Sequence, residues 1–365
     1  MKLVTIVGAR PQFIKLAPVS FEISTRKNIE EIILHTGQHF DKNMSEIFFS
    51  QMSIPKPKYN LNIGGGTHAQ NTGRMLEKIE KILLTEKPDA VLVYGDTDTT
   101  LSGALTAAKL YLPVIHIESG LRSFNRKMPE EINRLITDHI STICFAPSNS
   151  AVDNLLKEGI NAKNIIRTDD VMVDAAKIFC DISDKNSNIL KENNLEKYNF
   201  LLATIHRKEN TEDKETLESI LTALSIFSSR EKKIVIPLHP RTKKYIEYYS
   251  LQNLLEGLIC IEPVGYLDMI QLEKYASLVI TDSGGVQKEA FFHNTFCLTL
   301  RNETEWVELV QNGWNKLVDP TDVLNILKEI SEGLKMSTNF LETDIYGQGN
   351  AARQIADSIE DYFKI

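Results

Sequence analysis

Short apolar runs alternate along the chain with longer stretches in which apolar residues recur every three or four positions. Apolar runs of this length predict buried β-strands. The first half of the chain carries six of them, at residues 3–7, 32–35, 90–94, 114–117, 143–146 and 165–167. Between two of these runs, Met75, Ile79 and Leu83 share one face of a predicted helix. Strands that alternate with helices predict a parallel sheet covered by helices, which is an α/β fold.

The same alternation restarts in the second half of the chain. Five more runs predict strands at residues 200–205, 233–238, 258–261, 278–281 and 295–300. The 365 residues exceed the ~250–300 that one hydrophobic core usually serves. We therefore predict two doubly wound, Rossmann-like domains, 1–170 and 171–350, with the amphipathic segment 351–365 packed back on the first. The polar stretch 181–197 marks the boundary region.

Two domains of this kind are expected to face each other across an interdomain cleft. In doubly wound sheets, ligands bind beyond the carboxyl ends of the strands. The residues that directly follow each predicted strand are therefore the candidates for function.

Charge and composition exclude several classes of protein. Lys plus Arg is 41 and Asp plus Glu is 49, a net charge of −8, so there is no basic surplus for nucleic acid. No run approaches the ~20 apolar residues of a membrane span, and the N-terminus does not resemble a signal peptide. The four cysteines show no paired spacing, so free thiols are expected rather than disulfides or a zinc site. These features predict a cytoplasmic protein.

The first candidate site follows the first strand. Gly8 begins a turn into a helix whose N-terminus can hold an anion, with Arg10 and Lys15 close by. The glycine spacing matches neither a dinucleotide-binding motif nor a phosphate-binding P-loop. Two interpretations stay open: an anion-binding turn, or an ordinary turn with two surface cations.

Two acidic residues follow the strand 90–94. Asp96 stands at the strand's carboxyl end, where its carboxylate is expected to point into the cleft. Asp96-Thr97-Asp98 resembles a short metal-binding motif of one class of glycosyltransferases. We instead expect Asp98 to cap the following helix, and we expect no metal.

Acidic residues recur after the strand 114–117. Strand alternation places His116 and Glu118 on one face, where Glu118 is either a catalytic acid or base or part of a structural pair with His116. Farther along, Glu130 lies in the first turn of a helix that begins at Pro129. The i, i+4 spacing predicts a pair between Glu130 and Arg134.

The second half carries two histidines at strand ends. His206 precedes Arg207, and His239 lies two residues before Arg241. A histidine beside an arginine at two strand ends suits an anion such as a diphosphate. The other histidines outside the motifs are expected to be structural: His35, His68, His139 and His293.

A glycine-rich turn follows the strand 278–281. Ser283, Gly284 and Gly285 lead into a helix whose free N–H groups can bind phosphate oxygens, because glycine permits close approach. Glu289 lies about one turn farther and can bridge a ribose diol. This is the most specific signal in the chain for a nucleoside diphosphate.

Taken in order, these motifs resemble those of the non-hydrolysing UDP-N-acetylglucosamine 2-epimerase family. The resemblance rests on GARPQFIK, TGQH, YGDTDTT, HIESGLRS, MPEEINR, the two histidine elements and TDSGGVQKEA, and it covers nearly the whole chain. It implies the GT-B fold, with UDP mainly on the C-terminal domain, and an isomerase that acts on a UDP-2-acetamido sugar for surface polysaccharide precursors. It also implies a homodimer and no cofactor.

The resemblance also implies a chemistry and the residues for it. The family eliminates UDP across C1 and C2 of the sugar and adds it back after C2 is protonated on the other face, which calls for acid and base groups and for cations on the diphosphate. The implied catalytic residues are Asp96, Glu118, Glu130 and His206. The implied substrate-binding residues are Arg10, Lys15, Arg134, His239, Ser283, Gly284, Gly285, Glu289 and Arg301. Residues that match an allosteric site of some relatives are Gln38, His39 and Arg74.

One departure from the family pattern concerns the substrate. The family often reads Thr-Glu-Arg-Pro-Glu after the strand 295–300, whereas this chain has Trp306 at the arginine position. That variant looks more like the branch acting on UDP-2,3-diacetamido-glucuronate. Arg126, Lys127 or Trp306 would then recognise the extra sugar substituents.

Three other functions stay open. A hydrolysing UDP-N-acetylglucosamine 2-epimerase and a GT-B glycosyltransferase would use a similar chain, although the three carboxylate and histidine positions Glu118, Glu130 and His206 argue against a transferase. A UDP-sugar-binding module without activity is the third.

Overall fold

The computed structural model describes residues 1–38, 54–230, 232–336 and 345–365, apart from the side chains of Arg10, Ser229 and Arg230. The chain divides into two compact units, Met1–Lys177 with Asp344–Ile365, and Ile178–Thr343. The division falls inside the helix Val171–Asn186, whereas the sequence places the domain boundary at 170/171. Much of the polar stretch 181–197 is helical, because Asn, Lys and Ser are compatible with the solvent-facing side of a helix.

The first unit is built on a seven-stranded sheet in the order β3-β2-β1-β4-β5-β6-β7. Its strands are β1 (Lys2–Val7), β2 (Glu30–His35), β3 (Tyr59–Asn60), β4 (Ala90–Tyr94), β5 (Val114–Ile117), β6 (Ile143–Ala146) and β7 (Ile165–Arg167). All pairings are parallel, and Val4 of β1 lies between Ile32 and Val91 of its two neighbours. Strands covered on both faces need apolar side chains on both sides, which is why they read as continuous apolar runs.

In the described part of the first unit, six helices follow its strands. They are α1 (Arg10–Ser24), α2 (His68–Glu86), α3 (Asp98–Lys109), α4 (Pro129–Ile140), α5 (Asn149–Lys157) and α6 (Val171–Asn186). On α2, Met75, Ile79 and Leu83 are buried against the sheet core, as their helical spacing predicts.

The C-terminal helix Ala351–Phe363 belongs to this unit. Arg26, just beyond α1, pairs with Asp357 at 2.7 Å and with Glu360 at 3.2 Å. At the other end of the helix, the carboxylate of Asp174 accepts the N–H groups of Ala351 and Ala352 at 3.1 Å. These contacts tie the end of the chain to the first unit.

The second unit repeats the plan with a six-stranded parallel sheet in the order β10-β9-β8-β11-β12-β13. The strands are β8 (Phe200–Thr204), β9 (Lys233–Pro237), β10 (Ile259–Ile261), β11 (Leu278–Thr281), β12 (Cys297–Thr299) and β13 (Asn315–Leu317). Two parallel sheets with helices confirm the predicted α/β class. Neither β3 nor β13 was predicted, because both are short edge strands with polar residues.

Eight α-helices formed by described residues lie within the second unit. They are α7 (Ile189–Glu192), α8 (Lys208–Thr211), α9 (Lys214–Arg230), α10 (Pro240–Tyr248), α11 (Tyr266–Tyr275), α12 (Gly284–Phe292), α13 (Val307–Gln311) and α14 (Val323–Met336). Among the described residues, no helix has both the length and the apolar character that a bilayer crossing requires. All four cysteines are free thiols, as predicted, and Cys144 and Cys297 are buried.

Candidate active site

In the first unit, the predicted acids lie at the carboxyl ends of neighbouring strands. β1, β4 and β5 are adjacent in the sheet, and Lys15, Asp96 and Glu118 follow them in that order. Gly95 and Glu118 adopt left-handed backbone conformations, with φ of +63° and +70°. The strand alternation that was expected to run from His116 to Glu118 therefore ends at Ile117.

Lys15 and Glu118 form an ion pair at this sheet edge. The ammonium of Lys15 donates a short hydrogen bond to the Glu118 carboxylate, and the two side chains are only 12% and 11% exposed. Burial lowers the pKa of Lys15, but the charge and hydrogen bond of Glu118 and the charge of Asp96 outweigh it, so that pKa lies above its ordinary value. Lys15 is therefore a partly buried cation held among acids.

Asp96 pairs with Arg134, which comes from α4. The Arg134 guanidinium lies 2.6 Å from Asp96 and 3.4 Å from Glu131. The sequence spacing instead predicts a pair with Glu130, which is exposed in the first turn of α4. Desolvation raises the pKa of Asp96 above its ordinary value; Arg134 opposes this rise, whereas Glu118 and Glu130 add to it. Glu130 is thus electrostatically part of the cluster although its pairing differs from the prediction.

The helix cap beside Asp96 also differs from the prediction. The N-cap of α3 is Thr97, whose hydroxyl accepts the N–H of Thr100. Asp98 is the first helical residue, and its carboxylate accepts a bond from Asn133 at 3.2 Å and lies 2.8 Å from His68. Asp98 therefore tethers α2 and α4 to α3 rather than capping α3.

The turn after β1 is held by a residue that the motif reading did not single out. Gln12 accepts the N–H groups of Gly8 and Ala9 through its side-chain oxygen and donates to the carbonyl of Tyr94. The sequence signal that could have identified it is a glutamine three residues after the N-cap position, from where its side chain can reach back to the N-cap N–H. Arg10 lies at the start of α1, and nothing is described of its side chain.

Of the residues expected at an allosteric site, Gln38 and Arg74 form hydrogen bonds to different partners. Gln38 accepts a bond from the Thr99 hydroxyl at 2.8 Å. Arg74 donates to the side chain of Asn71 at 3.0 Å on α2. His39 lies outside the described residues.

In the second unit, His206 follows β8, and its turn is organised by Asp282. The buried Asp282 carboxylate accepts the N–H groups of His206 and Arg207 at 3.0 Å and lies 3.4 Å from the His206 ring. The imidazoles of His206 and His239 are 5.5 Å apart between centroids. The predicted histidines thus lie together, and Asp282, directly after β11, is a functional candidate that the sequence reading did not assign.

His239 caps α10. Its ring nitrogen accepts the N–H of Arg241, whose guanidinium donates to the carbonyl of His206 at 2.9 Å. Partial burial lowers the pKa of His239 below its ordinary value, and the charges of His206 and Arg241 act in the same direction. A neutral imidazole at this position would accept or donate a hydrogen bond without carrying charge.

The Ser283–Gly285 turn at the start of α12 is closed by the segment that follows β12. The indole N–H of Trp306 donates to the Gly284 carbonyl at 2.8 Å. A Cβ on Gly284 would lie 2.1 Å from the Glu305 carboxylate, which in turn pairs with Arg301 at 2.9 Å. Only glycine therefore fits at position 284 without displacing Glu305.

The remaining predicted residues occupy the same helix or exposed turns. Gly285 is exposed in the first turn of α12, and Glu289 is half-buried one turn farther on. Arg126 and Lys127 lie exposed just before α4. Among the residues that the structure describes, no group of three or more His, Cys, Asp or Glu side chains could hold a metal ion.

Comparisons with known proteins identify relatives over almost the full length of the chain. The model of the family described as UDP-N-acetylglucosamine 2-epimerase matches residues 21–360. A UDP-N-acetylglucosamine 2-epimerase homolog of Methanococcus maripaludis is 53% identical over 99% of this chain and 100% of the relative. A UDP-2,3-diacetamido-2,3-dideoxy-D-glucuronate 2-epimerase of Pseudomonas aeruginosa is 50% identical over 98% of this chain and 99% of the relative.

The fold has a close counterpart among solved structures. The crystal structure of the Methanocaldococcus jannaschii UDP-GlcNAc 2-epimerase, in complex with UDP-GlcNAc and UDP, superposes with a TM-score of 0.87. It is 44% identical, and the match covers 99% of this chain and 100% of the other. The predicted GT-B fold class and the predicted family are therefore confirmed. The chain belongs to the UDP-N-acetylglucosamine 2-epimerase family.

Proposed function

We propose that this protein catalyses the non-hydrolysing C2 epimerisation of a UDP-2-acetamido sugar. The observation that carries the proposal is the pair of acid–cation contacts at neighbouring strand ends, Lys15 with Glu118 and Arg134 with Asp96. A carboxylate that is paired with a cation suits a reaction that removes a proton from carbon and later returns one. Together with the family membership, they support an isomerase.

The reaction divides into an elimination and an addition. In the first step a base takes the C2 proton, the C1–C2 double bond forms, and the C1–O bond breaks as UDP leaves. In the second, an acid protonates C2 from the opposite face and UDP oxygen adds to C1. Neither step oxidises or reduces the sugar, so this route requires no redox cofactor.

The acids of the first unit are proposed to move the protons. Asp96, Glu118 and Glu130 are the candidates. The surroundings of Asp96 and Glu118 differ, and this difference suggests their roles. Burial raises the pKa of Asp96 and so favours its protonated form, whereas the Glu118 carboxylate accepts a hydrogen bond from the ammonium of Lys15. We therefore assign Glu118 as the base and Asp96 as the acid in one direction, with the roles reversed in the other.

The second unit is proposed to bind UDP. The N–H groups at the start of α12 and the cation Arg301 suit the diphosphate. His239 is proposed as a further diphosphate contact and Glu289 as the acceptor for the ribose hydroxyls. His206, oriented by the Asp282 carboxylate, is proposed to act on the departing UDP.

The test is an exchange assay in deuterated water with two substrates, UDP-N-acetylglucosamine and UDP-2,3-diacetamido-glucuronate. We expect deuterium at C2 and a UDP-bound manno product from at least one of them. Absence of both signals with both substrates would refute the proposal. Stoichiometric release of free UDP without manno product would indicate the hydrolysing reaction, and sugar transfer to an added acceptor would indicate a glycosyltransferase.

Two variants sharpen that assay. Glu118→Gln is expected to lose exchange because the base is removed. Glu86→Gln is its matched control, since Glu86 also pairs with lysines in the first unit, Lys2 and Lys58, but at the other end of the strands. If both variants lose exchange equally, Glu118 is not the base.

Of the two substrates, we rank UDP-2,3-diacetamido-glucuronate first. The identity to the Pseudomonas aeruginosa relative exceeds that to the Methanocaldococcus jannaschii epimerase, and the exposed Arg126 and Lys127 offer cations for a sugar carboxylate. Replacing Arg126 and Lys127 together by Gln should raise the KM for the glucuronate substrate and leave that for UDP-N-acetylglucosamine unchanged. An equal effect on both substrates would contradict this ranking.

Three further expectations belong to the proposal. They are a cytoplasmic location, a role in surface polysaccharide precursor synthesis, and a homodimer, which light scattering of the purified protein tests. Activation by UDP-N-acetylglucosamine through Gln38, His39 and Arg74 is tested by adding it to the glucuronate assay. A rate that is unchanged by the added nucleotide sugar would exclude that regulation.

A further inference from the structure

Beneath the two turns that carry Asp96 and Glu118 lies a buried chain of polar side chains. His116 of β5 is fully buried, with its two ring nitrogens 2.7 Å from the Asp138 carboxylate and 2.7 Å from the Gly95 carbonyl. Each ring nitrogen thus lies at hydrogen-bond distance from an acceptor oxygen, one on a carboxylate and one on the backbone. His116 therefore links α4 directly to the residue before Asp96.

Asp138 extends the same chain to the other turn. Its second carboxylate oxygen accepts the N–H of Gly120 at 3.1 Å and the guanidinium of Arg122 at 2.7 Å, and the Asp138 and Arg122 side chains are 0% exposed. Burial raises the pKa of Asp138, but the bonds and charges of His116 and Arg122 outweigh it, so the pKa lies below its ordinary value. The carboxylate is thus ionised, with donors on both oxygens.

Further contacts fix the backbone of the turn from Glu118 to Arg122. Arg122 is also held by Glu158 through two bonds of 2.7 Å and 2.6 Å. Gly120 has a φ of +83°, and a Cβ there would lie 2.4 Å from the carbonyl oxygen of Ala151. The backbone on the far side of Glu118 is therefore fixed as firmly as the Gly95 carbonyl beside Asp96.

We propose that His116, Asp138 and Arg122 are positioning residues that hold Asp96 and Glu118 at a fixed separation from each other. Among the described residues, no hydrogen bond or ion pair joins these three side chains to the carboxylate of Asp96 or Glu118. They act through the backbone, because one carboxylate anchors both turns at once. This inference rests on the proposed epimerase reaction and deepens it, since two proton-transferring groups must keep a fixed separation across C2.

The test compares three variants. His116→Phe keeps a ring of similar size and removes both bonds, and Asp138→Asn keeps the shape and removes the charge. Asp174→Asn is the matched control, because Asp174 is a buried carboxylate of the same unit that also accepts two backbone N–H bonds, but from Ala351 and Ala352. It has no contact with the two turns among the bonds described for its carboxylate.

The expected signature is a split between kcat and KM. His116→Phe and Asp138→Asn should lower kcat for C2 exchange by about 10- to 100-fold. KM and the affinity for UDP, whose proposed contacts lie in the second unit, should change by less than about 3-fold. Asp174→Asn should keep the wild-type kcat at temperatures where it is folded. Wild-type kcat in both test variants, or an equal loss in the control, would overturn the proposal.

Amide hydrogen exchange supplies a readout that does not need the reaction. In Asp138→Asn, we expect faster exchange in peptides that cover residues 95–98 and 118–123, with the other described strands unchanged. Unchanged protection in both segments would refute the positioning role whatever the activity. If instead the wild-type protein shows no C2 exchange while Asp138→Asn loosens these segments, the proposed function fails and the structural linkage stands.

Discussion

His293 offers a test of the buried electrostatics that is independent of catalysis. It caps the end of α12 with its side chain only 4% exposed, and its ring lies 3.9 Å from Glu273. Burial, together with the charge of Lys274, lowers the pKa of His293 to about 4, although Asp184 opposes this in part. The folded protein therefore keeps His293 neutral at pH values where an exposed histidine is charged.

The sign and size of the effect follow from the two pKa values. In the unfolded chain His293 titrates near 6.5, so between pH 6.5 and 4 the unfolded state binds a proton that the folded state does not. The free energy of unfolding therefore falls as the pH falls through this window. At about 1.36 kcal/mol for each pKa unit, the full loss amounts to about 3 kcal/mol.

The assay is urea unfolding of the wild type and His293→Gln at several pH values from 7 to 4.5. Both tryptophans, Trp306 and Trp314, belong to the second unit, so their fluorescence reports the unit that contains His293. We expect the variant to be the less stable protein at pH 7 and the difference to shrink by about 2–3 kcal/mol toward pH 4.5. Curves that stay parallel over this range would refute the assignment.

Asp174 has the opposite pH dependence and must be separated from the effect of His293. Burial raises the pKa of this first-unit carboxyl to about 6, so between its ordinary pKa and 6 the folded state binds the extra proton. Its contribution to stability therefore falls as pH rises, opposite to that of His293. The difference between wild type and His293→Gln cancels this contribution, because Asp174 is present in both proteins.

Further predictions concern the turns at the strand ends. Gly8→Ala should destabilise the protein by about 1–3 kcal/mol, because its Cβ would lie 2.0 Å from the hydrogen-bonded hydroxyl of Thr36. Gly73→Ala, in a helix with open space around it, should instead stabilise it by about 0.5–1 kcal/mol. Thermal unfolding of the two variants measures both effects. Equal shifts in Tm would contradict the contrast. Trp306→Phe removes the indole bond to Gly284 and should weaken UDP binding about 5-fold by calorimetry, the equivalent of about 1 kcal/mol for one neutral hydrogen bond. Unchanged affinity would show that this bond does not shape the turn.

The strands could be predicted from the sequence because the apolar residues that a buried strand requires lie within the strand itself. A central strand of a covered parallel sheet buries both faces, so β4 and β11 appear in the sequence as unbroken apolar runs. β3 and β13 lie at the sheet edges, where one side of the backbone has no neighbouring strand. Tyr59–Asn60 and Asn315–Leu317 carry too few apolar residues to be distinguished from loops.

The partners of charged side chains were less predictable, because they depend on residues far apart in the chain. Sequence spacing favours Glu130 for Arg134, but the sheet brings Asp96, 38 residues earlier, within 2.6 Å. The choice between Thr97 and Asp98 as helix cap is similar. Both residue types cap helices, and only the backbone at Thr97, with ψ of 169°, decides which one does.

The net charge of −8 conceals how the candidate cations are held within each unit. Lys15 and Arg134 pair with acids of the first unit, and Arg301 pairs with Glu305 of the second. Both members of each ion pair belong to the same unit, so these cations are already paired before substrate binds. A diphosphate that binds Arg301 must compete with a carboxylate already present, which lowers its net gain from that contact. Transition-state stabilisation depends on such fixed charges more than on their number, so the acidic net charge does not argue against the proposed binding of UDP.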